Sequence, residues 1–541
     1  MKIKHTSFFN KEIWSKAIPY FFSYSPSQFI KKVIAVINRE YSIYLYNKDY
    51  NRFLLANADN YSDYPKFKLN PKISILLPTY NSPIQFLKLN IEAILSQSYS
   101  NWELCIADDC STDPQVVQIV KSYATKDPRI KYTLRNKNGH ISEATNSALK
   151  LATGEFVALM DHDDIIYPNT LMEYVTLINK KPKADLIYCD EDKIDTENRR
   201  FEPHFKPDWS PETLLSANYI THFAIIRKKL FDSLKGLRKG YEGAQDYDLF
   251  LRISEKTNNI YHIPKILYSW RTVANSTATR GSKAKSDYAY TNGTKSLVSA
   301  FKRRQLPAKV SSGNGLGLYQ YLITPNSTAC DIFTPRGSNS LGLQVFNFIN
   351  TSSASYILFL DQGCQLNFKN ISDTLGIFRI PEIKMLTLKM TYPDGSIFKT
   401  GFIIADKVLP AFHRMLQGGY FNFNYNLMTK NYSATDLLGT IIDVDFFKQQ
   451  NLHPIKKLKK YPEIGIYLSY LCKNKQKRIV TDPLHTIIYF HRNPYKISKI
   501  ATNLAHKIVP KYTHDPYYNP NLTRTEPNFT INKELLLRDK K

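Results

Sequence analysis

Short apolar stretches alternate with amphipathic stretches from residue 71 to residue 195 of the chain. The apolar stretches are rich in β-branched residues and predict strands, and the stretches between them have the apolar spacing of helices. The predicted strands are Ile73–Leu77, Glu103–Ala107, Ile130–Leu134, Phe156–Met160 and Asp185–Cys189. A strand and a helix recur about every 30 residues, which is typical of an α/β fold with a doubly wound, mostly parallel sheet.

Polar and acidic side chains follow four of these five strands at the point where each strand ends. They belong to Pro78–Asn81, Asp108-Asp109, Asp161–Asp164 and Asp190–Asp192. The carboxyl ends of parallel strands meet at one edge of a sheet, and ligands bind there. The sequence therefore predicts a functional crevice that is lined by carboxylates.

These carboxylates suggest a specific chemistry. Clustered carboxylates repel one another, which raises their pKa values, and a divalent cation relieves that repulsion. Asp161 and Asp163 form an Asp-x-Asp pair whose hard oxygen ligands suit Mg²⁺ or Mn²⁺, and such a cation would stabilise a departing diphosphate. Asp246 would serve as a general base if the fold brings it across the crevice. Helix capping is the structural alternative for Asp246 and Asp248.

The second half of the chain resembles the first. Tyr356–Asp361 is similar to Phe156–Asp161 at an offset of 200 residues. Asp361 retains the first acid of the pair, but Gly363 stands in place of Asp163. Too few residues precede Tyr356 for two of the strand–helix units of the first half. We interpret the second half as a degenerate, non-catalytic copy of the first half, and a second active site is the alternative.

Three other segments have a pattern of their own. Phe29–Ile37 and Ile497–Ile508 carry apolar residues at helical spacing with basic residues around them. Each predicts either a helix packed on a neighbouring domain or a helix on a membrane surface. Gly313–Gly317 lacks the full spacing of a phosphate-binding loop, and we interpret it as a linker.

Composition narrows the classes of function. The chain has 541 residues, 43% of them hydrophobic and 22% charged, which excludes wholesale disorder. Its net charge of +26 favours an anionic partner: a phospholipid surface, a phosphorylated substrate or nucleic acid. The six cysteines have no CxxC or zinc spacing and favour a reducing compartment. No apolar run is long enough for a transmembrane helix, and the first residues do not have the pattern of a signal peptide.

In their order and spacing, the motifs of the first half resemble the inverting glycosyltransferases of family 2, which have the GT-A fold. The resemblance covers about residues 71–280. It is carried by Pro78–Asn81, Ala107–Asp113, Thr153–Asp164, Tyr188–Asp195, Phe205–Pro211, Gln245–Leu249, His262–Pro264 and Leu267–Arg271. The pattern is most similar to bacterial enzymes of O-antigen or capsule assembly, many of them rhamnosyltransferases.

The resemblance implies a role for each motif. The residues implied to bind the nucleotide sugar are Pro78, Tyr80, Asp108, Asp109, Asp161, Asp190, Glu191, Asp192, Trp270 and Arg271. Asp161 and Asp163 would bind Mg²⁺ or Mn²⁺, and Asp246 would be the catalytic base. Trp270 and Arg271 would belong to a loop over the donor diphosphate. Some relatives add a metal-binding His in that region, but this chain has no His or acid from Pro264 to Ser286.

The same resemblance implies a domain organisation. We predict a basic helical N-terminal region (1–70), a GT-A catalytic domain (71–310), a junction (311–355), a degenerate GT-A-like domain (356–490) and a basic C-terminal tail (491–541). The expected location is the cytoplasm, at the inner face of the cytoplasmic membrane, because the flanks are basic.

The function implied is sugar transfer to a growing bacterial surface glycan. The donor would be a dTDP-, UDP- or GDP-sugar, and the acceptor would be a lipid-linked oligosaccharide. The alternative is a non-catalytic glycan-binding or scaffold subunit of a polysaccharide-assembly complex. Nucleic-acid binding is a third hypothesis, which rests on the net charge alone. No nucleic-acid-binding module is recognisable, and we expect no nucleic-acid partner.

Overall fold

The computed structural model describes residues 45–57, 66–272, 283–313, 315, 317–415, 424–491, 496–511, 513–526 and 529–536. The chain divides into two compact units, one from residues 1–59 and 530–541 and the other from residues 60–529. In the first unit, residues 45–56 form helix α1, and Asn57 Nδ2 donates a hydrogen bond to Leu535 O (3.2 Å). The predicted helix at Phe29–Ile37 lies outside the described residues.

The second unit contains all the strands and the remaining α-helices of the described residues. The strands of its first half are β1 Ile73–Thr79, β2 Trp102–Asp108, β3 Ile130–Leu134, β4 Phe156–Leu159, β5 Ile165–Ile166, β6 Leu186–Ile194, β7 Arg200–His204, β8 Ile225–Arg227 and β9 Ile260–Arg271. The helices of this half are α2 Ile84–Leu95, α3 Pro114–Lys126, α4 His140–Leu149, α5 Thr170–Lys180, α6 Pro211–Ser216, α7 Lys228–Ser233, α8 Gln245–Ser254 and α9 Lys283–Arg303.

The second half has its own set of elements. Its strands are β10 Ala308–Ser312, β11 Tyr319–Ile323, β12 Cys330–Phe333, β13 Tyr356–Phe359, β14 Cys364–Leu366, β15 Ile383–Thr391, β16 Ile397–Lys399, β17 Phe402–Ile404, β18 Val408–Pro410, β19 Lys430–Tyr432, β20 Thr440–Asp443 and β21 Arg478–Tyr489. Its helices are α10 Leu341–Thr351, α11 Ser372–Leu375, α12 Val444–Lys448, α13 Tyr461–Asn474 and α14 Lys499–Ile508.

The first sheet has the order β3-β2-β1-β4-β8-β6-β9-β5, with β7 paired to β6. Strands β3, β2, β1 and β4 are parallel neighbours, as the alternation of strands and helices predicts. Every residue of β1 and β2 is buried, because helices cover both faces of this part of the sheet. The α/β, GT-A-like fold class is therefore confirmed.

The other part of this sheet is mixed. Strand β8 lies between β4 and β6 and is antiparallel to both, so β4 and β6 point in the same direction. Strand β9 is parallel to β6. As a result the carboxyl ends of β1, β2, β4 and β6 lie at one edge of the sheet, as the sequence predicts.

The second sheet repeats part of this order. It runs β12-β13-β20-β15-β21-β14, and each pair has the same direction as its counterpart in β1-β4-β8-β6-β9-β5. Nothing in the described residues corresponds to β2 and β3, whereas β12 corresponds to β1, so the second and third strands of the first half are the ones without a counterpart. The segment 311–355, which we predicted to be a junction, contains strands β11 and β12 and helix α10. Strand β12 and helix α10 form a strand–helix unit of the second sheet.

Helix α14 packs on the second half rather than presenting its whole apolar face to solvent. Ala501, Ala505 and Ile508 are buried against a cluster that includes Phe402 and Ile466. Of the large apolar residues of α14, all of which are described, Ile500 is the one that is largely exposed, at 52%. Across the described residues, no helix combines the length and the apolarity that crossing a membrane requires.

Candidate functional site

A pocket opens where the strands β1 and β4 end. Its lining residues are Leu76, Pro78, Ile141, Thr145, Leu159, Met160, Asp161, Thr221, His222, Leu237, Gln245 and Asp246. Three of the residues singled out from the sequence, Pro78, Asp161 and Asp246, therefore meet in one place. They come from β1, from the turn after β4 and from the start of α8. The fold thus brings Asp246 across the crevice, as the general-base hypothesis requires.

Asp246 is held in position by two hydrogen bonds. Asn218 Nδ2 donates to Asp246 Oδ2 (2.7 Å), and the backbone N–H of Tyr247 donates to Asp246 Oδ1 (2.8 Å). Burial raises the pKa of the carboxyl group. Its neighbour Asp248 is fully buried and pairs with Arg238 and Arg252, so Asp248 has a structural role. Neither residue is the N-cap of α8, which is Ala244, but both lie in the first turn of the helix, where acids are favourable.

A second group of polar side chains lies beside Asp246. The potential ligand atoms of Asp161, Asp164 and His222 are all within 4.8 Å of one another. Asp161 is the open member, with a side chain that is 41% exposed and an oxygen 3.7 Å from His222 Nε2. Asp164 is fully buried and accepts hydrogen bonds from the Tyr268 hydroxyl and the Arg271 backbone N–H. The Asp164 carboxylate therefore already has protein partners.

The residues of this group fit a divalent cation. An open carboxylate at Asp161 offers hard oxygen ligands, and such cations are commonly bound by one or two carboxylates together with substrate phosphates. Burial raises the pKa values of Asp163 and Asp164, and neighbouring carboxylates raise them further. A bound cation would relieve this repulsion. Asp163 is not in the group, and metal binding by Asp163 stays a prediction.

His222 carries a proton in this arrangement. Burial lowers the pKa of its imidazole, but the Glu191 carboxylate, together with Asp161 and Asp164, outweighs burial and raises the pKa to about 9. The ring stacks on Tyr268 with centroids 5.0 Å apart. A ring fixed in this way places a positive charge beside Asp161, and a metal at Asp161 would have to displace the proton before His222 became a ligand.

A buried lysine supports this side of the pocket. Lys206 is completely buried, and its ammonium group donates to Glu191 Oε2 (2.9 Å), Ile220 O (2.6 Å) and His222 O (2.8 Å). All three N–H groups are therefore satisfied. Glu191 also accepts from the Thr221 hydroxyl (2.7 Å) and from the His222 backbone N–H (3.2 Å). Lys206 and Glu191 thus fix Thr221 and His222, which line the pocket.

We expect Lys206→Met to lower the free energy of unfolding by about 3–5 kcal/mol, because it leaves the Glu191 carboxylate buried without its main partner. Lys193→Met is the matched control, since Lys193 pairs with Glu202 at 2.7 Å on a partly exposed surface. The control should lose less than about 1 kcal/mol. Urea unfolding followed by tryptophan fluorescence measures both, and equal losses would contradict the role of Lys206.

The residues implied to hold the nucleotide have different surroundings. Tyr80 is 46% exposed, so its ring is accessible. Asp108 is buried and accepts hydrogen bonds from Thr79 and Ser111, and Asp109 is buried and accepts from the backbone N–H of Gly139. The Asp108 and Asp109 carboxylates therefore organise the loops at this edge, and their contact with a nucleotide stays a prediction.

The three acids Asp190, Glu191 and Asp192 do not lie beyond the end of a strand. Strand β6 continues to Ile194, because it pairs along its length with β9 and β7, so the three acids lie within the strand. All three are buried. Asp192 accepts from Arg200 Nε (2.6 Å), and Glu191 and Asp190 are bonded to Lys206. Sugar contact by these acids stays a prediction, and in this structure they have protein partners.

The prediction that Trp270 and Arg271 belong to a loop is wrong. Both lie in β9, where they pair in register with Lys193 and Ile194 of β6. Arg271 is fully buried, and its guanidinium donates to the backbone carbonyls of Asp163 and Asp195 (both 2.8 Å). The strand pairing, which the sequence does not reveal, is the reason. Residues 273–282, which follow β9, lie outside the described residues.

Two residues of the site were missed from the sequence. His222 lies in a stretch without clear periodicity. Lys206 lies in the motif Phe205–Pro211, but the resemblance implied no role for its side chain. The sequence did contain one signal for His222: it lies three residues before the apolar strand β8. The beginning of β8 is at the same edge of the sheet as the acids. Because β8 follows an irregular segment, the sequence does not reveal that β8 is antiparallel to its neighbours. The position of His222 could therefore be known only from the tertiary structure.

Comparison with known proteins bears on the first half of the chain. Residues 74–235 match the model of the family described as glycosyl transferase family 2. The chain is 46% identical to an uncharacterized protein, y4gI, of Sinorhizobium fredii over 221 residues (40% of this chain, 24% of that protein). It is 35% identical over 242 residues to the O-antigen biosynthesis protein RfbC of Myxococcus xanthus (45% of this chain, 19% of that protein).

The chain thus spans about a quarter or less of the length of these two relatives. A third relative is covered more fully. The protein EpsE of Bacillus subtilis (strain 168) is 31% identical over 208 residues, which are 37% of this chain and 73% of EpsE. The residues that match the family model include β1, β2 and β4 together with Pro78, Asp161 and His222 of the pocket, and the match ends before Asp246. The chain therefore belongs to glycosyl transferase family 2.

Proposed function

We propose that this protein transfers a sugar from a nucleotide-diphosphate donor to a hydroxyl of a growing bacterial surface glycan, with inversion at the anomeric carbon. The observation that carries the proposal is the pocket in which Asp161 and Asp246 face each other from separate segments of the chain. Asp161 would bind a cation and Asp246 would act as the base. A single displacement needs these two groups.

In this mechanism Asp246 accepts the proton of the acceptor hydroxyl as that oxygen attacks the anomeric carbon of the donor. The bond between that carbon and the diphosphate oxygen breaks, and the nucleoside diphosphate leaves with the electron pair. Asn218 and the Tyr247 N–H hold the carboxylate in place for the attack. Asp161 would hold Mg²⁺ or Mn²⁺, which when bound neutralises charge on the donor diphosphate. Protonated His222 adds a positive charge at the same wall, and Pro78 and exposed Tyr80 would bind the nucleotide.

The relatives support a surface glycan as the acceptor. RfbC of Myxococcus xanthus is an O-antigen biosynthesis protein, and it is 35% identical to this chain over 242 residues. A lipid-linked oligosaccharide is the proposed form of the acceptor, and the net charge of +26 supports contact with an anionic membrane surface on the cytoplasmic side. A dTDP-, UDP- or GDP-sugar is the proposed donor.

The test is a thermal-shift panel of UDP, dTDP and GDP, each with Mn²⁺, Mg²⁺ or EDTA. A ligand that binds the folded state raises its stability, by about 2.7 kcal/mol at a hundred times the Kd. We expect one nucleotide to raise the melting temperature only when a divalent cation is present. The anomeric configuration of the product, measured by NMR, then tests inversion.

A well-folded sample that responds to none of the three nucleotides would contradict the proposal. Such a result would favour a non-catalytic glycan-binding or scaffold subunit of a polysaccharide-assembly complex. A shift that persists in EDTA would keep the donor site but would remove the metal from the mechanism.

A further inference from the structure

The C-terminal segment formed by residues 513–526 packs across the half of the chain that carries the pocket. His514 Nε2 lies 2.9 Å from Asp208 Oδ2, and the Asp208 backbone N–H donates to Pro516 O (2.8 Å). Asn521 Nδ2 donates to Pro264 O (2.9 Å). These contacts join residues about 250–310 positions apart in sequence.

Asn519 makes the deepest contact of this segment. Its side chain is 2% exposed, and Nδ2 lies 3.0 and 2.9 Å from the two carboxylate oxygens of Asp190 and 2.8 Å from Lys206 O. Its amide oxygen accepts from the backbone N–H of Asn521 (2.9 Å). Both ends of the Asn519 amide are therefore engaged, which fixes its orientation.

The groups that Asn519 contacts lead to the pocket. The Lys206 backbone N–H donates to Asp190 Oδ1 (2.8 Å), so Asn519 and Asp190 together hold the backbone of Lys206 on both sides. The Lys206 ammonium group in turn holds Glu191 and the carbonyl of His222. Thr221 and His222 line the pocket beside Asp161. A short chain of hydrogen bonds therefore connects Asn519 with the catalytic wall.

We propose that Asn519 is a positioning residue for sugar transfer, which it supports by fixing Lys206 and through it Thr221 and His222. This inference rests on the proposed function. The C-terminal segment, which the sequence presents only as a basic tail, then forms part of the catalytic half of the protein. The same hydrogen bonds make the pocket dependent on residues that follow the second sheet.

The contacts named above reach one side of the pocket. They go to β6, to Asp208 and to β9, whereas the ends of β1 and β2 form the side where the nucleotide is proposed to bind. Loss of Asn519 should therefore change the rate of the chemical step more than the affinity for the donor. Misplacement of a catalytic group by about 1 Å can cost about 100-fold in rate.

The experiment compares Asn519→Ala and Asn519→Ser with Ser433→Ala in the full chain. Ser433 Oγ donates to Asp515 Oδ1 (2.7 Å) and holds the same segment to the second half, so its loss disturbs the segment without touching Asp190. We expect kcat to fall at least about tenfold in both Asn519 variants, with the donor KM within about twofold of wild type. Ser433→Ala should keep both parameters close to wild type.

Hydrogen exchange of peptides that cover residues 218–223 gives a readout that needs no activity. We expect faster exchange there in both Asn519 variants and unchanged exchange in Ser433→Ala. If the alanine variant folds poorly, the serine variant gives the result. Unchanged exchange in both Asn519 variants would overturn the inference. Faster exchange in a protein whose wild type transfers no sugar would show that Asn519 fixes Thr221 and His222, but it would refute the proposed function and with it the role of Asn519 in sugar transfer.

Discussion

Asp246→Asn should lower the rate of sugar transfer by about 10²–10⁴-fold, the range that a positioned general base contributes. The amide has the shape of the carboxylate but accepts no proton at neutral pH. Donor binding should remain, since the substitution leaves Asp161 and Pro78 of the same pocket unchanged. A radiolabelled transfer assay measures the rate, and the nucleotide-dependent thermal shift measures donor binding.

Asp248→Asn is the matched control on the same helix. Asp248 pairs with Arg238 and Arg252 and is completely buried, so its loss should reduce stability and leave the transfer rate of the folded fraction near wild type. Transfer at the wild-type rate in Asp246→Asn would remove this residue from the role of base.

The environment of Asp246 also predicts a pH dependence. Burial raises its pKa, and the residue acts as a base only when ionised. The rate should therefore fall as the pH decreases through that raised pKa, so the acidic limb lies above the usual range of an aspartate. A profile of kcat/KM against pH measures this limb in the free enzyme. An acidic limb in the ordinary aspartate range would contradict the assignment.

Asp161→Ala should abolish the metal-dependent part of nucleotide binding. Asp161 is the open carboxylate of the group with Asp164 and His222, and removing a direct ligand should cost more than the roughly 10–100-fold in metal affinity that an outer-shell partner contributes. The thermal shift produced by nucleotide with Mn²⁺ should become equal to the shift produced in EDTA.

Asp361→Ala is the control, because Asp361 occupies the same position after β13 in the second sheet. One Asp361 oxygen accepts a hydrogen bond from Gly363 N (2.8 Å), and we expect its loss to leave nucleotide binding unchanged. Asp163→Ala distinguishes two metal sites. Weakened binding would support the Asp-x-Asp pair, and unchanged binding would support the group of Asp161, Asp164 and His222. Retained metal-dependent binding in Asp161→Ala would place the metal elsewhere.

Much of the first sheet was predictable because its signals are local. Ile130–Leu134 is a strand in the structure with the predicted bounds, and the other predicted strands of this region begin within a residue of the observed ones. Parallel strands that are covered on both faces are continuous apolar runs, so a sequence marks them clearly. The internal repeat was also visible, since Tyr356–Phe359 and Phe156–Leu159 occupy equivalent strands.

Predictions failed or stayed open where strands pair over long distances. Strand β6 runs past Cys189 and β9 runs to Arg271 because these two strands stabilise each other, and neither segment shows this alone. The consequence for the site is large. Arg271 lies in a strand instead of in a loop over the donor, and both Arg271 and Asp190 are buried with protein partners.

The sequence by itself determined the α/β fold class, the family and the edge of the sheet at which the acids gather, because each depends on residues close together in the chain. Only the tertiary structure decided which acids are open. Asp161 remains accessible, whereas Asp190 is occupied by Asn519, 329 residues away. The reason is physical: whether a carboxylate faces a ligand or a protein donor depends on groups that fold onto it from elsewhere.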